Sequence, residues 1–152
     1  MLAERGQTLA TAESLTGGLL GAAITAVAGA SAVYRGGLVV YATDLKVSLA
    51  GVDAARLDVW GAVSDWTAGE LAAAAAARCR ADFGLATTGV AGPDRQEGHP
   101  VGTVFIGVHG PVSGGGRSTT VRGLHLSGGR AEIRAETVRQ VLAWLLTFLR
   151  VS

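Results

Sequence analysis

Ser14 stands in a stretch dense with groups that can react, cap or donate: Thr11-Ala12-Glu13-Ser14-Leu15-Thr16-Gly17-Gly18. A serine hydroxyl is a weak nucleophile until a base takes its proton. Histidine is the common base. His99, His109 and His125 all fall late in the chain, away from the loops that follow the early strands, and no G-x-S-x-G elbow is present. Lys46 is the only lysine, and every other basic side chain is arginine. Arginine keeps its proton in proteins, whereas a desolvated lysine can release one near neutral pH. Taken alone, a lysine here reads as a solvated surface group. Beside Ser14 it reads as the base of a Ser-Lys dyad.

Three further segments could serve that pair. Tyr41 is either a rim aromatic or a group that relays a proton or holds the base. Thr88-Gly89-Val90-Ala91-Gly92-Pro93 is a turn whose Gly89 and Gly92 can present backbone N–H groups to an anion or oxyanion. Thr16 has the chemistry of a helix N-cap, which leaves Ser14 free to react. Gly17 and Gly18 would let a ligand approach the free N–H groups at the start of that helix.

The elements that must hold these groups follow from periodicity. Gln7 to Ala12 reads as a first strand. Leu19, Leu20, Ala23, Ile24 and Val27 repeat at helical spacing, with Gly29 as a left-handed stop. Gly36 to Thr43 is a second strand, apolar enough to be covered on both faces. Asp44 can cap a short helix that carries Lys46, Asp53 to Leu57 adds a helical turn, and Ser64 caps a helix running to Arg80. The alanines of that helix permit close approach of another element, a second copy included. Phe83 to Thr88 is a third strand, residues 94–100 a polar, mobile loop, and Val101 to His109 with Arg117 to Leu124 a strand pair. Arg130 to Val151 is the last helix. Helices between strands imply parallel pairing, and the late hairpin an antiparallel edge. The expected fold is a single three-layer α/β/α domain over 1–152 with a mixed, mostly parallel sheet. Ligands in such sheets bind at the strand C-terminal ends, where the segments after strands one, two and three meet.

Bulk properties agree with an enzyme-sized domain. The chain has 152 residues, 49% hydrophobic and 16% charged, with net charge +1. That balance argues against a nucleic-acid binder and, with so few charges, for a homo-oligomer, a dimer being favoured. The uncharged run from Ser14 to Tyr34 is too rich in glycine, serine, threonine and alanine for a membrane span. The single cysteine, Cys79, excludes an internal disulfide and a cysteine-based metal site and fits a cytoplasmic protein.

Taken together the motifs resemble one family, the CinA C-terminal domain, also known as nicotinamide-nucleotide amidase. The matching pieces are Thr11-Ala12-Glu13-Ser14 with Thr16-Gly17-Gly18; Gly36-Gly37 with Tyr41 and Lys46; Gly51-Val52; Gly61-Ala62-Val63-Ser64; Thr88 to Pro93; and Pro100-Val101-Gly102-Thr103-Val104. They run in family order over nearly the whole chain. The resemblance implies hydrolysis of the carboxamide of nicotinamide mononucleotide to nicotinate mononucleotide and ammonia, with no metal and no cofactor. It implies Ser14 as nucleophile, Lys46 as base, Tyr41 and Thr88 as assistants, and an arginine near the start of the last helix, here Arg130. Thr16, Gly17, Gly18, Gly89 and Gly92 would complete the substrate site, with an oxyanion donor near Gly17 or Gly89; Glu13 would join them there, hold Lys46 or Tyr41 in position, or orient the loop, and the sequence does not choose. Departures from the family pattern are Leu15, Thr43, Gly129 and the 94–99 loop. The rival reading is a nucleotide-binding or regulatory module without turnover.

Overall fold

The structure is a computed structural model and describes residues 1–151. Five strands form one sheet: β1 (Leu9–Glu13), β2 (Tyr34–Val39), β3 (Phe83–Gly89), β4 (Thr103–Pro111) and β5 (Arg117–His125), in the spatial order β2-β1-β3-β4-β5. β1 pairs in parallel with both β2 and β3, β4 is antiparallel to β3, and β5 is antiparallel to β4. Four strands therefore run one way and β4 alone runs against them. The helices are α1 (Leu19–Thr25), α2 (Thr43–Ser48), α3 (Ala54–Trp60), α4 (Asp65–Cys79) and α5 (Arg130–Val151).

The two faces of the sheet are packed differently because successive strand residues point to opposite sides. On one face Leu9, Phe83, Leu85 and Ile106 meet Leu20 and Ile24 of α1 and Ile133, Val141, Leu145 and Leu149 of α5. On the other, Ala10, Ala12 and Ala86 meet Leu71, Ala72 and Ala75 of α4. Side chains there are small because α4 lies almost on the backbone: a β-carbon on Gly84 would sit 1.9 Å from the Ala72 carbonyl oxygen. The buried alanines of α4, Ala72 and Ala75, thus serve a contact within this chain. Burying each large apolar side chain on the first face contributes roughly 1.5–3 kcal/mol.

Several boundaries differ from expectation. β2 ends at Val39 and alternates between half-buried and exposed, because it is an edge strand and not a covered one. Gly29 is left-handed, but it opens a short 3-10 turn after α1 has already ended at Thr25. Asp44 lies inside the first turn of α2 without capping it, while Asp53 caps α3 through the Arg56 N–H at 2.8 Å. Ser64 caps α4 as expected, accepting from the Thr67 N–H at 3.1 Å. Leu146, which helical spacing puts on the core side of the last helix, is exposed on α5. No helix among the described residues is long and apolar enough to cross a membrane.

The chain leaves β1 through α1 on one face to reach β2, then returns through α4 on the opposite face to reach β3. That reversal opens a crevice at the C-terminal end of β1. Ser14 is the first residue beyond that end.

Candidate active site

Ser14 is held by the ladder and by the turn that follows it. Its N–H donates to Thr87 O at 3.0 Å, and its carbonyl accepts from the Gly17 N–H at 3.0 Å. Gly17 and Gly18 have φ of 55° and 104°, a backbone that a β-carbon disfavours. From α5, Arg134 fixes the same turn, donating through Nε to Leu15 O (2.9 Å) and through Nη2 to Thr16 O (3.0 Å).

Glu13 organises the start of α1 from outside the helix. Its carboxylate accepts from Thr16 Oγ1 (2.7 Å) and from the N–H groups of Gly18 (3.2 Å), Leu20 (2.8 Å) and Gly21 (3.0 Å). Those amides are the donors that a helix start leaves without an internal partner. The expected cap, Thr16, is instead an intermediary, bonding both Glu13 and Thr87 Oγ1 (2.7 Å). A strand carboxylate reaches the helix start because Gly18, not a threonine, flanks Leu19. Glu13 and Thr16 are both buried, and neither lines the cavity beside Ser14. Gly17 and Gly18 also lie outside it, with their N–H groups already bonded. These four build the turn that holds Ser14, and none of them lines that cavity. Replacing Glu13 with alanine orphans several buried donors and is expected to cost about 2–4 kcal/mol of stability. Urea denaturation checks this; a loss under about 0.5 kcal/mol would contradict the capping role.

Lys46 reaches Ser14 because the β1–β2 pairing continues one residue past the strand. The Val40 N–H donates to Glu13 O at 2.9 Å, which starts α2 beside the end of β1. Lys46 is 1% exposed, and its Nζ lies 3.1 Å from Ser14 Oγ, 2.7 Å from Val40 O and 3.4 Å from Tyr41 O. Burial pulls its pKa down from the ordinary lysine value to about 8, against the opposing pull of the Glu97 and Asp44 carboxylates. At pH 7 roughly one molecule in ten then carries the free amine. A buried lysine amine within hydrogen-bonding distance of a serine hydroxyl is an arrangement that acyl transfer can use.

A cavity of about 280 Å³ opens beside Ser14, lined by Leu15, Tyr41, Arg130 and residues 89–96. It lies just below the ~300–1,000 Å³ range of ligand pockets. Tyr41 is 57% exposed, and its hydroxyl accepts from Arg130 Nη2 at 3.0 Å. Arg130 also donates to Gly92 O through Nη1. Tyr41 therefore orients the arginine at the cavity wall. Gly89 and Gly92 both line the cavity. In the β3–β4 ladder the Val90 N–H donates to Thr103 O, so alternation turns the Gly89 N–H toward β1 and Ser14. Gly89 is required there, since a β-carbon would lie 2.5 Å from Thr103 O. Thr88 is buried, and its hydroxyl donates to Ala62 O at 2.7 Å, tying down the turn before α4. It does not line the cavity.

Sequence reasoning missed Arg134, Glu97 and Arg95. Arg134 sits one helical turn beyond Arg130, so an arginine repeat at four residues was the available signal. Arg95 lines the cavity, and its Nη2 donates to Gly98 O at 2.7 Å. Glu97 grips the backbone of Ala62 and Val63, which no spacing rule reveals.

The family model described as CinA C-terminal domain matches residues 1–149. The chain belongs to the CinA C-terminal domain family. A CinA-like protein of Frankia casuarinae is 49% identical over 152 residues, covering 95% of this chain and 34% of that protein. A relative from Geobacillus kaustophilus, named for competence-damage inducibility, is 47% identical over 97% of this chain and 35% of its own length. The chain thus spans about a third of the length of these curated relatives. Among solved structures, the competence damage-inducible protein A of Klebsiella pneumoniae superposes with a TM-score of 0.91 at 35% identity, covering 98% of this chain and 90% of that one. CihA of Agrobacterium tumefaciens gives 0.88 at 38% identity, over 96% and 87%. The CinA-type domain therefore carries its Ser14–Lys46 pair at the crevice of an α/β/α fold that these relatives share.

Proposed function

We propose that this CinA-type domain is an amidohydrolase that converts nicotinamide mononucleotide to nicotinate mononucleotide and ammonia through a Ser14–Lys46 dyad. The observation that carries the reading is the 3.1 Å contact between a buried lysine amine and a serine hydroxyl at a cavity wall. Neutral Lys46 takes the Ser14 proton as Oγ attacks the carboxamide carbon. The C–O bond forms, the carbonyl electrons move to oxygen, and the Gly89 N–H stabilises that oxyanion; one such donor is typically worth about 100- to 1000-fold in rate. The Lys46 ammonium then protonates the departing nitrogen, the C–N bond breaks, and ammonia leaves an acyl ester on Ser14. Water, deprotonated by Lys46, hydrolyses the ester and restores the serine. Arg130, held by Tyr41 and Gly92, faces the phosphate.

The experiment is ammonia release across a panel of pyridine nucleotides and simple amides. Nicotinamide mononucleotide is expected to be the preferred substrate. Tight binding with no ammonia would make the domain a nucleotide-binding module instead. Because the active base is the neutral amine, kcat/KM is expected to rise with pH up to about 8 and then level off. Below that it should fall about tenfold per pH unit; a flat profile down to pH 5 would exclude Lys46 as the base.

A further inference from the structure

The short turn after the cavity wall holds a residue that its backbone does not favour. Gln96 and His99 exchange both backbone hydrogen bonds, at 3.2 and 2.8 Å, and so close a two-residue hairpin. Within the 94–100 loop, expected to be mobile, residues 96–99 thus form a bonded turn. Its central residues Glu97 and Gly98 have φ of 50° and 77°. Such turns suit Asn, Asp or Gly at the first position, and left-handed backbone is strained for a glutamate. Strain of this kind persists where the surroundings hold it and clusters at functional sites.

The carboxylate is what holds it. Oε1 accepts from the Ala62 N–H and Oε2 from the Val63 N–H, both at 3.0 Å. Gly61 makes room, since a β-carbon there would lie 2.5 Å from Oε2. The Ala62 carbonyl is in turn held by Thr88 at the end of β3. On the other side of the hairpin, Asp94, Arg95 and Gln96 form the cavity wall beside Ser14.

We propose that Glu97 is a positioning residue: its carboxylate clamps the 96–99 hairpin to the Ala62–Val63 backbone and thereby sets the cavity wall formed by residues 94–96. The kinetic meaning of that wall rests on the amidase reading; the clamp itself does not. The clamp also places a negative charge near the base. The charged groups acting on Lys46 are Asp44 from its own helix and Glu97 from the hairpin. Glu13 directs its carboxylate into α1, and Tyr41 turns its hydroxyl to Arg130. Removing the Glu97 charge should therefore lower the Lys46 pKa and favour the free amine.

Glu97→Gln and Glu97→Asn test this. Asparagine suits the left-handed position, so that variant keeps the turn while it is too short to reach Ala62 and Val63. Exchange of the bonded amides, those of Gln96 and His99 in the hairpin and of Ala62 and Val63 at the clamp, should quicken roughly tenfold or more in both variants, with α4 and α5 unchanged. Isotope-labelled lysine gives one side-chain NMR signal, because the chain has a single lysine. Its titration midpoint should move down by a few tenths of a pH unit or more in both variants. KM for nicotinamide mononucleotide should rise roughly tenfold, with kcat above pH 8 less affected. Unchanged exchange at those four amides, or an unmoved Lys46 midpoint, overturns the proposal. If the wild-type protein released no ammonia, the amidase reading would fall while both substrate-free readouts still decided the role of Glu97.

Discussion

Ser14→Ala is expected to reduce ammonia release from nicotinamide mononucleotide by about 10⁴-fold or more, the scale on which loss of a catalytic nucleophile is felt. The fold should not notice. Ser14 Oγ bonds Lys46, whose amine keeps its contacts with Val40 O and Tyr41 O. The peptide N–H and carbonyl that build the turn are untouched by the substitution. Stability by urea denaturation should therefore stay within about 1 kcal/mol of wild type. Activity within tenfold of wild type would remove Ser14 from the chemistry.

Lys46→Met is the more informative variant, because activity and stability should move in opposite directions. Loss of the base is expected to cost about 10²–10⁴-fold in kcat/KM. Lys46→Arg should fare no better, since a guanidinium does not surrender its proton. The stability effect follows from the depressed pKa. The folded lysine titrates near 8 and the unfolded one near its ordinary value of 10.5. Between those values the unfolded chain binds more protons, so stability rises with pH through that window and the penalty for burying the ammonium is complete below pH 8. Its size is on the order of 3 kcal/mol, offset in part by the hydrogen bonds that methionine leaves unmade. Lys46→Met should therefore be more stable than wild type by about 1–2 kcal/mol at pH 7, with the advantage gone above pH 10.5. A variant less stable at pH 7 would mean that the amine's contacts outweigh its desolvation. Such an exchange of stability for activity is common at catalytic sites.

What could be read from the sequence divides along physical lines. Signals that depend on local periodicity and composition survived folding: the helix of residues 65–79 with its Ser64 cap, the β4–β5 hairpin, and α5 from Arg130 onward. The site's position was also legible, because α/β topology sends the ends of β1, β2 and β3 to one crevice. A lone lysine among arginines pointed to Nζ as the candidate base, and the fold brings it to Ser14. Partner choice over long distance was not legible. Thr16 looked like the helix cap and Glu13 had no settled role, because nothing local says that a strand carboxylate reaches seven and eight residues ahead to the amides of α1. Thr88 looked like a site hydroxyl for the same reason, and only the turn before α4 shows where it goes. The reach of Arg134 back to Leu15 spans almost the whole chain and leaves no trace in either segment. β2 was misread as fully covered because an unbroken apolar run does not distinguish an edge strand from a central one.

The central claim is that the carboxamide carbon becomes an ester of Ser14. Hydroxylamine partitioning addresses it directly, because a stronger nucleophile than water intercepts an acyl-enzyme without taking part in the step that forms it. Turnover of nicotinamide mononucleotide by the wild-type protein in graded hydroxylamine, with products resolved by mass spectrometry, is expected to yield the hydroxamate of nicotinate mononucleotide. Its share should grow with hydroxylamine concentration at the expense of the free acid. Nicotinate mononucleotide as the sole product at every hydroxylamine concentration would contradict a covalent Ser14 intermediate.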